Sequence, residues 1–199
     1  VKVITSGEGG MAVTNSNDLA VKMRLYSNHG ITRDAGQMNQ PPDGNWFYQQ
    51  IVLGYNYRIS DIHAALGLHQ MTKLDDFVNK RRKIAEKYDR VIQNLPVKKH
   101  SCFPDRLSAF HLYVIRIPHV DSHPIRNQIF DQLRQKGIGV QVHYIPVYQQ
   151  PVYEKSGIDP FKFPESERYY SEALTLPCFP GLTDSEQEYI VNSLTCCFS

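Results

Sequence analysis

A primary amine adds to a carbonyl, gives way to an incoming amine and moves protons between carbons, and Lys2 places such an amine at the start of this chain. Out of context it reads differently. One residue among 22 lysines and arginines is a solvated surface charge. Gly7-Glu8-Gly9-Gly10 follows it, a turn through which backbone amides can approach a phosphate. Alone that is a weak signal, because here it comes after the lysine, where a nucleotide-binding P-loop would precede it. Glu8, between glycines that permit a tight turn, reads first as an acceptor of backbone hydrogen bonds.

Other polar groups carry two readings each. The guanidinium of Arg58 suits a phosphate or carboxylate, but an arginine just before a helix also forms structural ion pairs. His29 precedes Gly30 at a helix end, where a histidine caps carbonyls or meets the dipole. His143 and Tyr144 are neighbours in an alternating stretch, so a strand would send them to opposite faces, with Tyr144 expected in the core. The eight histidines form no H-E-x-x-H pair and no carboxylate cluster has calcium-loop spacing, so no metal site is expected.

These groups need elements to position them, and the 199 residues suffice for one or two cores. A hydrophobic fraction of 41%, a charged fraction of 21% and a net charge of +2 describe an ordinary soluble domain, with no reason to expect a nucleic-acid or membrane partner. Cys102, Cys178, Cys196 and Cys197 show no C-x-x-C spacing, which favours reduced thiols and a cytoplasmic setting. No apolar run approaches the roughly 20 residues that span a bilayer.

Met11-Ala12-Val13-Thr14 reads as a short strand. Capping side chains at residues 14–18 then precede a helix ending near Asn28-His29-Gly30, with Gly30 in the left-handed conformation. Residues 32–45 read as a long loop, and the aromatic residues 46–58 as strand-like. Ser60 caps another helix; residues 73–94 form a one-sided helix with Lys80, Arg81, Arg82 and Lys83 mostly solvated. Further on come a strand over residues 111–117, a helix from Pro124 to Lys136 ended by Gly137, an alternating strand over residues 139–144, and helices over 166–174 and 184–194. Strand, helix, strand in that order implies a small α/β or α+β domain.

Four strings taken together are specific: V-K-V-I-T-S-G-E-G-G, G-Y-N-Y-R-I-S-D-I-H-A-A-L-G, H-L-Y-V-I-R-I and G-I-G-V-Q-V-H-Y-I-P-V-Y. This set resembles the DegT/DnrJ/EryC1/StrS family of nucleotide-sugar aminotransferases along essentially the whole chain. The resemblance implies an α/β fold-type-I transferase dependent on pyridoxal 5'-phosphate. Residues 1–72 would be the end of the large cofactor domain, 73–106 a connecting helix and linker, and 107–199 a small C-terminal α+β domain. It implies that the chain begins in mid-protein, and that the piece alone is inactive.

By the same resemblance Lys2 matches the Schiff-base lysine, and Asn56 the asparagine that reaches the cofactor phosphate of the other subunit in a homodimer with shared active sites. His29, Arg58 and His143 would face substrate. The implied reaction carries an amino group from an amino donor, L-glutamate, to C4 of a UDP-linked 4-keto-6-deoxy sugar, a step of the pseudaminic acid type. Two rivals stand beside this: a sugar dehydratase, in which a histidine replaces that lysine, and a catalytically silent relative that binds sugar nucleotides or regulates.

Overall fold

Ser16 starts the first helix: its hydroxyl accepts the amide hydrogen of Leu19 at 3.4 Å, and α1 (Asn17–Ser27) follows. The structure, a computed structural model, describes residues 2–119, 125–159 and 162–198. It divides into two units, residues 3–72 and, together with Lys2, residues 73–199.

In the first unit α1 closes with the Gly30 amide donating to the Leu25 carbonyl at 2.8 Å. His29 takes the left-handed conformation at φ 59°, one residue earlier than glycine placement suggests, and Gly30 adopts φ 69° beside it. Next, β1 (Ile31–Thr32) pairs antiparallel with β2 (Gln49–Gln50), with Ile31 opposite Gln50. Ser60 then caps α2 (Asp61–Met71), accepting from the His63 amide at 3.3 Å.

Two expected strands are not formed here. Residues 11–14 pair with nothing among the described residues, leaving Met11 88% and Val13 87% exposed. Of residues 46–58 only Gln49–Gln50 join a ladder, because a strand needs a partner as well as β-forming side chains. Helix α2 is apolar on several sides, the composition of a covered helix, yet Ile62 and Leu68 stand exposed in this unit.

The second unit holds the hydrophobic core. Helix α3 (Leu74–Ile92) lays Ile84, Ala85, Tyr88 and Ile92 into it. A two-stranded antiparallel sheet of β3 (Tyr113–Arg116) and β4 (Ala173–Leu176) supplies Tyr113, Ile115, Leu174 and Leu176. Between those strands in sequence come α4 (Arg126–Gln135), which packs on β4, and α5 (Pro164–Glu172); after them α6 (Asp184–Cys196) packs on α3 and α4. Gly137, at φ 77°, ends α4 as its sequence position suggests, while Pro124 lies outside the described residues. Burial raises the phenols of Tyr88 and Tyr113 well above their usual range; the first donates to the Pro177 carbonyl at 2.9 Å and the second to Asp89 at 2.6 Å.

Three expectations change in this unit. Residues 139–144 form no strand beyond an isolated bridge between Gln141 and Thr175. Tyr144 is therefore not core but 65% exposed, and its ring meets that of His143 at 4.6 Å instead of pointing to the opposite face. The helix expected to run to Leu174 stops at Glu172, because residues 173–176 extend to pair with β3.

Arg81 is the third change: it is 3% exposed, not solvated. Its Nη1 donates to the carbonyls of Phe110 and His111, each at 3.2 Å, and to that of Cys178. Arg81→Met keeps the length of the side chain but leaves these carbonyls without their donor. The expected cost is about 2 kcal/mol, seen as a lower urea midpoint with unchanged slope.

Candidate active site

Backbone proximity organises the polar groups of the first unit. The Tyr55 amide donates to the Tyr26 carbonyl at 2.7 Å, the His29 amide to the Tyr55 carbonyl at 2.7 Å, and the Tyr57 amide to the Ser27 carbonyl at 2.9 Å. Asn28 and Asn56 form a bridge within this pairing. The approach depends on two glycines. A Cβ at Gly54 would stand 2.2 Å from the Gly30 nitrogen and 2.6 Å from the His29 carbonyl carbon, and one at Gly30 would stand 1.8 Å from the Val52 oxygen.

Tyr55 and Tyr57 stack with ring centroids 4.8 Å apart, which fixes them on one side of their extended segment. Asn56, between them in sequence, bridges to Asn28, and Arg58 follows two residues on. Arg58 Nη1 donates to Asn28 Oδ1 at 2.9 Å. His29 has its backbone fixed at both ends, since its carbonyl also accepts from Gln50 Nε2 at 2.7 Å. Its left-handed conformation costs a non-glycine residue roughly 1–3 kcal/mol, strain of the sort that collects at functional positions. Thus His29, Asn56 and Arg58 come together. Near them Asn28, Ile31, Arg33 and Tyr48 line a groove of about 510 Å³.

Lys2 groups with the second unit, its side chain exposed. His111 belongs to the same unit: burial lowers its pKa first, and the positive charges of Lys2 and Arg81 lower it further. Its Nδ1 is buried without a hydrogen-bond partner among the described residues. The Arg81 staple holds the turn that delivers this ring, where Phe110 sits at φ 44° and donates its amide to Ser108 Oγ at 3.1 Å. His143 is half-buried, with Nδ1 at 2.9 Å from Thr175 Oγ1, and burial lowers its pKa too. It is thus a half-buried histidine hydrogen-bonded through Nδ1.

Sequence reasoning passes over His111 and Asn28. Their spacing carries no signal, since a histidine before a strand and an asparagine at a helix end are ordinary. The apolar groove of about 380 Å³ lined by Gly137, Pro177, Phe179, Leu182 and Tyr189 contains none of these groups. All four cysteines are free thiols, and among the described residues no helix is long and apolar enough to cross a membrane.

Comparison with known proteins gives this arrangement its context. The DegT/DnrJ/EryC1/StrS aminotransferase family matches residues 1–195. UDP-4-amino-4,6-dideoxy-N-acetyl-beta-L-altrosamine transaminase of Campylobacter jejuni is 32% identical over 195 residues, covering 98% of this chain and 49% of that protein. The structure of Helicobacter pylori PseC, an aminotransferase involved in the biosynthesis of pseudoaminic acid, superposes with a TM-score of 0.87 at 31% identity, over 100% of this chain and 51% of that one. A sugar aminotransferase of Streptococcus pneumoniae, solved in its PLP form, gives 0.80 at 25% identity, over 94% and 45%. The chain spans about half the length of the curated relatives it matches. With the mixed helix and sheet of the fold-type-I, PLP-dependent sugar aminotransferases, the chain belongs to the DegT/DnrJ/EryC1/StrS aminotransferase family.

Proposed function

We propose that this chain supplies Lys2, Asn56 and Arg58 to an aminotransferase that uses pyridoxal 5'-phosphate and moves an amino group from L-glutamate to C4 of a UDP-linked 4-keto-6-deoxy sugar. One observation supports the reading above the rest: the segment carrying Asn56 and Arg58 is held at the end of α1, where Asn56 bridges to Asn28 and Arg58 Nη1 donates to Asn28 Oδ1, so that a neutral and a charged N–H donor lie two residues apart on one fixed segment. Phosphate esters are the ligands such a pair suits. The residues present fit the cofactor, because its aldehyde needs a primary amine and its phosphate needs N–H donors, and the chain offers both.

When bound, pyridoxal phosphate supplies the electron-withdrawing ring that lets a C–H bond next to nitrogen ionise. Lys2 would hold the cofactor through its Nζ, and as a free amine it would take the proton from the donor's α-carbon and later deliver one to the sugar carbon. Asn56 would hold the cofactor phosphate across a homodimer interface, for which the exposed Leu53, Tyr55 and Tyr57 provide apolar surface. Arg58 pairs with the diphosphate of the substrate. His29 and His143 face the sugar, where a neutral imidazole, favoured at His143 by burial, accepts or donates one hydrogen bond to a hydroxyl. Residues 1–72 serve as cofactor-domain sequence, 73–106 as connector and 107–199 as the small domain, and the enzyme works in the cytoplasm.

Mass spectrometry of products from a panel of UDP-linked 4-keto sugars, incubated with the full-length enzyme and glutamate, tests this. Exchange of the sugar oxo group for an amino group, with stoichiometric 2-oxoglutarate, is the expected result. A panel that yields no amino sugar contradicts it.

A further inference from the structure

We infer that Asn28 is a positioning residue for substrate binding: its side chain orients the Arg58 guanidinium, and its backbone ties the Asn56 segment to the end of α1. This rests on the proposed function, in which Arg58 meets the substrate's diphosphate.

Arginine has many rotamers, and an exposed guanidinium samples them unless something selects one, at a cost in binding entropy. Asn28 Oδ1 makes that selection, accepting from Nη1 at 2.9 Å while leaving the other guanidinium N–H groups for an anion. Among the described residues no carboxylate pairs with Arg58, so its charge is not spent within the chain. Asn28 is itself fixed from three directions. Its amide caps α1 by donating to the Leu25 carbonyl at 3.2 Å, its carbonyl accepts the Ile31 amide at 3.0 Å, and it bridges to Asn56. The same residue lines the groove with Arg33 and Tyr48. One asparagine therefore orients the Arg58 side chain and ties down the backbone of Asn56, and does so without adding charge.

The test is steady-state kinetics of the full-length enzyme with the UDP-linked keto sugar varied and glutamate saturating. Asn28→Ala is expected to raise KM for the sugar nucleotide about tenfold, with kcat within about twofold and the thermal midpoint unchanged. Asn28→Asp keeps the acceptor oxygen but sets a carboxylate against Arg58 and beside the diphosphate, so it is expected to recover none of that loss. Arg58→Ala raises KM more, and adding Asn28→Ala to it has no further effect, because the asparagine acts through the arginine. A penalty of the same size in the Arg58→Ala background, or no penalty in the wild-type background, overturns the inference alone. An Arg58→Ala enzyme with unchanged KM sinks the substrate-binding role of Arg58 and this inference with it.

Discussion

Lys2→Ala in the full-length protein is expected to lower transamination kcat/KM by at least roughly 10⁴-fold, the scale of losing a covalent catalyst that works as a unit with its surroundings. No other described side chain of residues 1–10 carries an amine. Lys2→Arg separates charge from chemistry: it keeps a cation at the position but cannot condense with an aldehyde, so it is expected to be as inactive as the alanine variant. Neither change should disturb folding, since the side chain is exposed and surface substitutions stay within about 0.5 kcal/mol. Steady-state rates beside thermal midpoints check both halves. A silent or regulatory relative predicts something different, namely that biological function survives both substitutions.

Gly54→Ala tests the backbone crossing on which the first unit's donor groups depend. Its methyl group would lie 2.2 Å from the Gly30 nitrogen and 2.6 Å from the His29 carbonyl carbon, and backbone atoms cannot rotate away as a flexible side chain does. Relief requires the 26–30 and 54–58 segments to separate, breaking the hydrogen bonds from the His29 amide to the Tyr55 carbonyl and from the Tyr55 amide to the Tyr26 carbonyl. We expect a cost of at least about 3 kcal/mol, from overpacking plus lost backbone hydrogen bonds. The same separation displaces Asn56 and Arg58, so activity should fall by about 100-fold or more even where the variant remains folded, because misplacement by an ångström suffices. Amide hydrogen exchange locates the damage: protection should be lost at residues 26–30 and 54–58 and kept in β3 and β4. Uniform loss across both units would contradict the assignment of the glycines to this one crossing.

The helices were legible because their signals are local. Ser16 and Ser60 stand where caps belong, and the stripe through Ile84, Tyr88 and Ile92 names the buried face of α3. Arg81 shows how residue type can mislead where spacing does not. It sits three residues before Ile84 and seven before Tyr88, squarely in that stripe, but within a basic run that reads as solvated. The partner carbonyls lie far away in sequence, so nothing local announces them. Strand β4 was hidden for a similar reason. Ala-Leu-Thr-Leu extends a helical pattern, and only pairing with β3 decides otherwise.

Candidate site residues were legible as types and not as a constellation. That Arg58 could meet an anion follows from its guanidinium, whereas its hold on Asn28 follows from a crossing of glycines separated in sequence. His111 went unseen because burial and a neighbouring charge, which perturb it, are properties of the folded chain. Tyr144 was misplaced because alternation places side chains only where a ladder exists, and here a single bridge at Gln141 replaces it.

Borohydride reduction of the full-length protein with its cofactor, followed by peptide mapping, reads the proposed bond directly. The phosphopyridoxyl mass should fall on the peptide containing Lys2, in near-stoichiometric yield. Label on a different lysine, with Lys2 unmodified, would contradict the account.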